Sequence, residues 1–194
     1  MGNRPTRYHQ LNPELKATWE NSNFTMEEIM DWYNDFKSRY PSGQINMEDF
    51  KQIYKEICPA CSDPNEFAAF VFRLYDADNS GFLSFREFIC GISMTSFHNP
   101  KARIDWIFKL YDLDSDGYIT PFEMRLVLQS IFKIHPNPTL NLVIKLPLQV
   151  DEITPEKITE KMFSKYDFDN DGRLTKEELL QSVEEDPYLA KLLA

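Results

Sequence analysis

The segment DLDSDGYITPFE, residues 112–123, places oxygen-bearing side chains at alternate positions ahead of a glycine. The same pattern recurs as DADNSGFLSFRE at 76–87 and as DFDNDGRLTKEE at 167–178. Each copy stands between segments in which apolar residues recur with helical spacing. Three such copies indicate a chain built from repeated helix–loop–helix units.

These segments match the calcium-binding loop of the EF-hand. Ca²⁺ takes about six to eight oxygen ligands, and the loop supplies them from positions 1, 3, 5, 7 and 12, position 7 through its backbone carbonyl. Position 6 is glycine in each copy, as the sharp turn there favours. The predicted ligands are Asp76, Asp78, Ser80, Phe82 and Glu87 in loop 2 (76–87); Asp112, Asp114, Asp116, Tyr118 and Glu123 in loop 3 (112–123); and Asp167, Asp169, Asp171, Arg173 and Glu178 in loop 4 (167–178).

The three loops differ in charge. Loop 2 offers three carboxylates and loops 3 and 4 offer four each, which predicts weaker binding in loop 2. Three calcium ions at +2 each would change the formal net charge from −10 to about −4. We expect affinities in the sensor range, about 10⁻⁷ to 10⁻⁵ M, with Mg²⁺ as an alternative occupant of some loops.

A fourth, altered copy at 38–49 (loop 1) is predicted not to bind metal. Serine replaces the leading aspartate, and Tyr40, followed by proline, takes a ligand position. Asp49 is one methylene shorter than the glutamate that binds bidentately at position 12. We interpret loop 1 as a structural partner of loop 2, with the apolar position-8 residues Ile45 and Leu83 paired.

The pattern predicts an all-α fold of four EF-hands in two paired lobes, with a short β-ribbon between paired loops and one further helix at each end. Sequence signals mark several helix starts: capping-box pairs at Thr25/Glu28 and Asp63/Glu66, and a cap before proline at Asn12-Pro13 and Thr154-Pro155. The predicted divisions are an N-terminal arm and helix (1–24), an N-terminal lobe (25–97), a C-terminal lobe (98–186) and a C-terminal helix (187–194).

Composition narrows the function classes. The chain has 31 acidic and 21 basic residues, which disfavours nucleic-acid binding because that requires a basic surface. No stretch approaches the roughly 20 apolar residues of a membrane-spanning helix. Cys58, Cys61 and Cys90 are too few for a disulfide framework, and a lone Cys58/Cys61 pair is weak support for zinc or thiol chemistry. The sequence predicts a cytoplasmic protein that is not an enzyme, since its clustered acids serve as metal ligands.

Beyond the loops, the sequence resembles the neuronal calcium sensor family, the recoverin, visinin-like, hippocalcin and neurocalcin group. The resemblance runs from about Leu11 to Leu192. Its marks are Trp32-Tyr33, Pro41-Ser42-Gly43 in an inactive first loop, FREFIC at 85–90, LYDLD at 110–114, and TPEK with TEK between 154 and 161.

The resemblance implies a mechanism. Members are similar in carrying a myristoyl group at Gly2, and MGNRPT at 1–6 fits the acylation pattern. One such chain binds membranes only marginally, with K of roughly 10⁴ M⁻¹, so we expect reversible membrane association. Calcium is expected to open the helix pairs and expose an apolar groove that holds the acyl chain or an amphipathic helix of a target protein. By matching position, the groove residues are Trp32, Phe36, Phe50, Ile53, Tyr54, Ile57, Phe88 and Ile92.

Several alternatives stay open at this level. The groove residues could be ordinary core, because helical spacing alone favours that interpretation. The chain could regulate a specific enzyme such as a membrane guanylate cyclase, or act as a calcium buffer. The apolar stretch 135–150 is interpreted as a loop folded on the third and fourth units, with a gate over the groove as the alternative. The target and the oligomeric state are not encoded in any motif.

Overall fold

The computed structural model describes residues 12–57, 59, 61–95, 100–134 and 154–185. Gly2, Cys58, the link at 96–99, the apolar stretch 135–150 and the predicted C-terminal helix at 187–194 therefore lie outside the described residues.

The described residues form nine helices and two short strands, in agreement with the predicted all-α class. The helices are α1 (Pro13–Glu20), α2 (Met26–Arg39), α3 (Met47–Ile57), α4 (Asn65–Tyr75), α5 (Phe85–Thr95), α6 (Pro100–Tyr111), α7 (Pro121–Ile134), α8 (Pro155–Tyr166) and α9 (Lys176–Glu185), and the strands are β1 (Gln44–Asn46) and β2 (Phe82–Ser84). Loops 1 to 4 connect α2 to α3, α4 to α5, α6 to α7 and α8 to α9. Helix α1 is the predicted extra helix at the N-terminal side.

Local capping explains where several helices begin. Thr25 and Glu28 form the predicted capping box: the Thr25 N–H donates to Glu28 Oε2 at 2.8 Å, and the Glu28 N–H donates to Thr25 Oγ1 at 3.3 Å. Asn12 caps α1 by accepting from the Glu14 N–H at 3.0 Å. Thr154 caps α8 in the same manner, with its hydroxyl oxygen as acceptor.

The expected capping box at Asp63 and Glu66 is not formed. Helix α4 begins at Asn65 after Pro64, and the Asp63 carboxylate accepts from the Asn65 N–H at 3.1 Å. Glu66 instead pairs with Lys133 on α7 at 2.6 Å. An ion pair with a residue distant in sequence therefore replaces the local capping contact that the sequence predicted for Glu66.

The loops pair as the position-8 residues predict. β1 and β2 are antiparallel, with Ile45 opposite Leu83, and both side chains are fully buried. Ile119 and Leu174 form a single antiparallel bridge, in which each N–H donates to the other carbonyl at 2.8 Å. Loop 1 is thus joined to loop 2, and loop 3 to loop 4. We call α2–α5 with their loops the first pair of units and α6–α9 with theirs the second pair.

One core cluster of buried side chains includes residues from both pairs. Helix α4 of the first pair lies against α6 and α7 of the second pair. Just before α4, the Ser62 N–H donates to the Ile134 carbonyl at the end of α7, at 3.3 Å. The second and third units are therefore in direct contact. Among the described helices, none has the length and apolar character needed to cross a membrane.

Candidate calcium-binding sites

Among the described residues, three groups of carboxylates lie close enough together to share a metal ion. Within each group, one oxygen from each acid lies within 4.8 Å of the others. The groups are Asp76, Asp78 and Glu87 in loop 2; Asp112, Asp114 and Glu123 in loop 3; and Asp167, Asp169 and Glu178 in loop 4. The structure brings together the acids that the sequence assigns to positions 1, 3 and 12.

Backbone N–H groups hold the first acid of each loop in place. In loop 3, Asp112 accepts from the Asp116 N–H at 3.1 Å and from the Gly117 N–H at 3.2 Å. Asp114 accepts from the Asp116 N–H as well, at 3.2 Å. Loops 2 and 4 repeat this arrangement on Asp76, Asp78, Asp167 and Asp169.

This turn requires left-handed backbone at two positions. Gly117 has φ of +89°, as expected for position 6, but Ser115 at position 4 also has φ of +61°. Asn79 and Asn170 occupy position 4 in the other loops, each with φ of +56°. The sequence analysis did not predict this conformation at position 4. Asparagine adopts it more readily than most residues, so the asparagines at position 4 of loops 2 and 4 were an available signal.

The glutamate at position 12 closes each loop. Glu123 Oε1 accepts from the Leu113 N–H at 2.9 Å, while Oε2 accepts from the Thr120 N–H at 2.8 Å and from its hydroxyl at 2.7 Å. The same carboxylate thus joins the beginning and the end of the loop. Glu87 and Glu178 make the equivalent three contacts.

Loop 3 holds its acids deepest, with Asp112 and Glu123 only 7% and 6% exposed. Burial raises the pKa of Asp112 above its ordinary value. For Glu123 burial acts in the same direction, but hydrogen bonds from Thr120 and Leu113 outweigh it and lower the pKa. Glu123 is therefore a carboxylate at neutral pH, as a metal ligand must be.

Loop 1 lacks these features. Asn46 Oδ1 caps the following helix by accepting from the Asp49 N–H at 2.9 Å. In the described structure the Asp49 carboxylate accepts no hydrogen bond from the start of the loop, unlike the position-12 glutamates of loops 2, 3 and 4. The Tyr40 ring packs against Phe36 at a centroid distance of 5.4 Å. The side chain at ligand position 3 thus turns toward the helices, and the described structure shows no acid cluster in this loop.

The donor sets of loops 2, 3 and 4 fit calcium. All the converging side-chain atoms are oxygens, which a hard cation prefers, and position 12 is long enough to supply two of them. Because three carboxylates repel one another at these distances, a divalent cation between them stabilises the arrangement. The soft sulfur and imidazole ligands that transition metals favour are absent from these clusters.

Comparison with known proteins agrees with this geometry. A model of an EF-hand domain pair matches residues 101–184, and an EF-hand model matches residues 66–89. S-modulin of Aquarana catesbeiana is 34% identical over 194 residues, covering 100% of this chain and 92% of its own. Neuronal calcium sensor 1 of Lymnaea stagnalis is 36% identical over 197 residues, covering 100% and 96%. Human recoverin is 31% identical over 173 residues, covering 89% and 84%.

The chain belongs to the neuronal calcium sensor family. The resemblance inferred from its motifs is confirmed. As a member of this family, the chain is a calcium sensor with a regulatory role and is not an enzyme.

An apolar groove lies beside the first pair of units in this family member. It encloses about 280 Å³ and is lined by residues of α2, α3 and α5 and by Tyr40 of loop 1. Five of the eight residues predicted from the family resemblance line it: Trp32, Phe36, Ile53, Phe88 and Ile92. Trp32 at its rim is 38% exposed.

The other three predicted residues do not line this cavity. Phe50 is 2% exposed and packs beneath it, against Phe72 and Tyr75. Tyr54 packs against Phe50 and Phe67. Ile57, at the end of α3, is 72% exposed. The family resemblance therefore did not distinguish Ile53, the residue of α3 that lines the groove, from the neighbouring residues of α3 that do not.

Five lining residues were not predicted. Phe85 and Ile89 lie one helical turn before Phe88 and Ile92 on α5, so the spacing of i and i+3 could have found them. Tyr40 comes from loop 1. Asp35 and Arg39 add an ion pair at the groove, with Arg39 Nε 3.1 Å from Asp35 Oδ2.

Replacing Glu123 with glutamine should reduce the number of calcium ions bound at micromolar free calcium from three to two, one for each remaining acid cluster. The amide keeps the shape of the carboxylate but removes the charge that binds the ion. Titration calorimetry measures the stoichiometry. Asp49→Asn is the matched control, since it makes the same acid-to-amide change at position 12 of loop 1 and should leave three ions bound. An unchanged stoichiometry in Glu123→Gln would remove loop 3 from the set of sites.

Proposed function

We propose that this chain binds three calcium ions, in loops 2, 3 and 4, and in that state presents its apolar groove to an amphipathic helix of a target protein. The observation that carries the proposal is the common closure of the three loops by their position-12 glutamates, in a chain that also has an apolar groove. The proposed ligands are Asp76, Asp78, Ser80, Phe82 and Glu87; Asp112, Asp114, Asp116, Tyr118 and Glu123; and Asp167, Asp169, Asp171, Arg173 and Glu178.

The helix geometry supports a link between the ion and the groove. Asp76 directly follows α4, and Glu87 lies in the first turn of α5. An ion bound by both fixes the position of α5 relative to α4, and α5 supplies four of the groove-lining residues. The pairing of Ile45 with Leu83 passes any change in the position of loop 2 to loop 1. Calcium in loop 2 therefore acts on both walls of the groove.

The groove also separates the sensor from a simple buffer. A buffer needs affinity without a binding surface, whereas this cavity presents aromatic and aliphatic side chains of the kind that receive the apolar face of a helix. The half-buried Phe88 and Ile92 lie on one face of α5, and the exposed edge of Trp32 faces them from α2. A partner helix with apolar residues at i, i+3, i+4 and i+7 has the matching spacing.

Membrane association is the second part of the proposal. The first six residues carry the acylation pattern with Gly2 as the acceptor and Thr6 at its required position. A single myristoyl chain gives marginal affinity, which suits reversible binding from the cytoplasm. Arg4 and Arg7 would add attraction to anionic lipid. The protein would then act at the cytoplasmic membrane surface on a membrane-associated target.

Replacing Ile53 with glutamate should weaken binding of an amphipathic helical peptide by about tenfold or more in calcium. The change places a carboxylate in an apolar cavity, and a tenfold loss corresponds to about 1.4 kcal/mol. With Trp19 and Trp106 replaced by phenylalanine, a tryptophan-free peptide is titrated while the fluorescence of Trp32 is followed.

Ile57→Glu is the matched control because Ile57 lies one turn further along α3, is 72% exposed and does not line the groove. It should bind the peptide as the parent chain does. Equal losses in the two variants, or equal peptide binding with calcium and with chelator, would contradict the assignment of the groove.

Replacing Gly2 with alanine should abolish any calcium-dependent sedimentation with phosphatidylserine-containing vesicles, because the acceptor amine for the myristoyl group is lost. The protein is produced together with an N-myristoyltransferase. Asn3→Ala, which keeps Gly2 and Thr6, should sediment as the wild type does. Undiminished sedimentation of the Gly2→Ala protein would show that lipid attachment at this position is not what binds the membrane.

A further inference from the structure

The charged side chain of Arg73 spans the contact between the second and third units. Arg73 lies in the last turn of α4, three residues before Asp76, the first residue of loop 2. Its guanidinium reaches across to the second pair of units, where α6 ends and loop 3 begins. It therefore connects two loops that do not pair with each other through their strands.

The guanidinium binds backbone carbonyls. Nη2 donates to the Lys109 carbonyl in the last turn of α6 at 3.2 Å. Nη1 donates to the Asp112 carbonyl at 3.1 Å and also to the Leu113 carbonyl. The last carbonyls of a helix lack partners within the helix and carry its negative dipole end, so a cation is favourable there. The half-buried Arg73 thus caps α6 from another unit.

The contact also reaches a calcium ligand. The Asp112 carbonyl and the Leu113 N–H belong to the same peptide group. Its oxygen accepts from Arg73, while its N–H donates to Glu123 Oε1 at 2.9 Å. Arg73 therefore fixes the carbonyl of a peptide group whose N–H orients Glu123, the position-12 ligand of loop 3. Hydrogen bonds in such a chain also strengthen one another by polarisation.

The other end of the link depends on loop 2. The Asp76 N–H donates to the Phe72 carbonyl at 2.9 Å, so α4 runs directly into the first ligand of loop 2. An ion held by Asp76 and Glu87 restrains the last turn of α4, from which Arg73 extends. We propose that Arg73 couples calcium binding in loop 2 to calcium binding in loop 3, as a positioning residue that binds no metal itself. This inference rests on the proposed function, since it requires both loops to bind calcium.

Another contact between the same two units provides a comparison. Lys133 on α7 pairs with Glu66 in the first turn of α4 at 2.6 Å, far from the loop end of α4. This pair joins the two units without touching either loop. If any contact between α4 and α7 sufficed for coupling, removing Lys133 would have the same effect as removing Arg73.

The test measures loop 3 alone through the amide of Gly117, whose N–H donates to Asp112. Its NMR signal is followed against buffered free calcium in the full-length chain, in the wild type, Glu87→Gln, Arg73→Met and the double variant. Glu87→Gln disables loop 2 and should raise the calcium midpoint of Gly117 by about 5- to 10-fold, within the usual range of coupling between sites. In the Arg73→Met background the same change should shift the midpoint by less than about twofold.

Lys133→Met is the control and should leave the full shift in place. In chelator, the Leu113 amide signal should differ from the wild type in Arg73→Met and agree with it in Lys133→Met. Should Arg73→Met fail to fold, Arg73→Lys takes its place with the same expected loss, because a lysine lacks the two-nitrogen fork.

Coupling that persists in the Arg73 variant, or that Lys133→Met removes equally, overturns the inference while leaving the calcium sites intact. A Gly117 signal that does not respond to calcium in the wild type overturns the proposed function together with it.

Discussion

Mutual repulsion among closely spaced carboxylates links metal binding to helix position in this protein. Three times within the described part of the chain, acids at two helix ends are held with oxygens within 4.8 Å of one another. Backbone N–H groups and the hydroxyls of position 9 hold them there, as in the contacts of Glu123 with Thr120. Opposite charge between the acids relieves their repulsion. A divalent cation supplies that charge and contacts acids from both flanking helix ends.

The pairing of loops 1 and 2 joins the units whose helices line the groove. Loop 1 has no acid at positions 1, 3 and 5, but its Ile45 pairs with Leu83 of loop 2. Helices α2 and α3 of this first unit supply Trp32, Phe36 and Ile53 to the groove. Tyr40, at ligand position 3 of loop 1, also lines this cavity and packs against Phe36.

Sequence alone predicted most of the local structure because the EF-hand encodes its ligands at fixed spacing. The convergence of the acids of positions 1, 3 and 12 in loops 2, 3 and 4 and the Ile45–Leu83 register both follow from that pattern. What it missed depends on contacts distant in the chain. Glu66 pairs with Lys133 instead of capping α4, and Arg73 donates to carbonyls of another unit. The left-handed Ser115 shows a further limit, since the turn imposes a conformation for which serine gives no signal.

Loops 2, 3 and 4 are proposed to bind calcium, and loop 1 is not. Native mass spectrometry of the wild-type chain, sprayed from solution at micromolar free calcium, counts the bound ions directly. We expect a dominant species with three calcium ions, one for each acid cluster of the described structure. A dominant species with four ions would show that loop 1 binds metal, and one with no ions would contradict calcium binding by all of these loops.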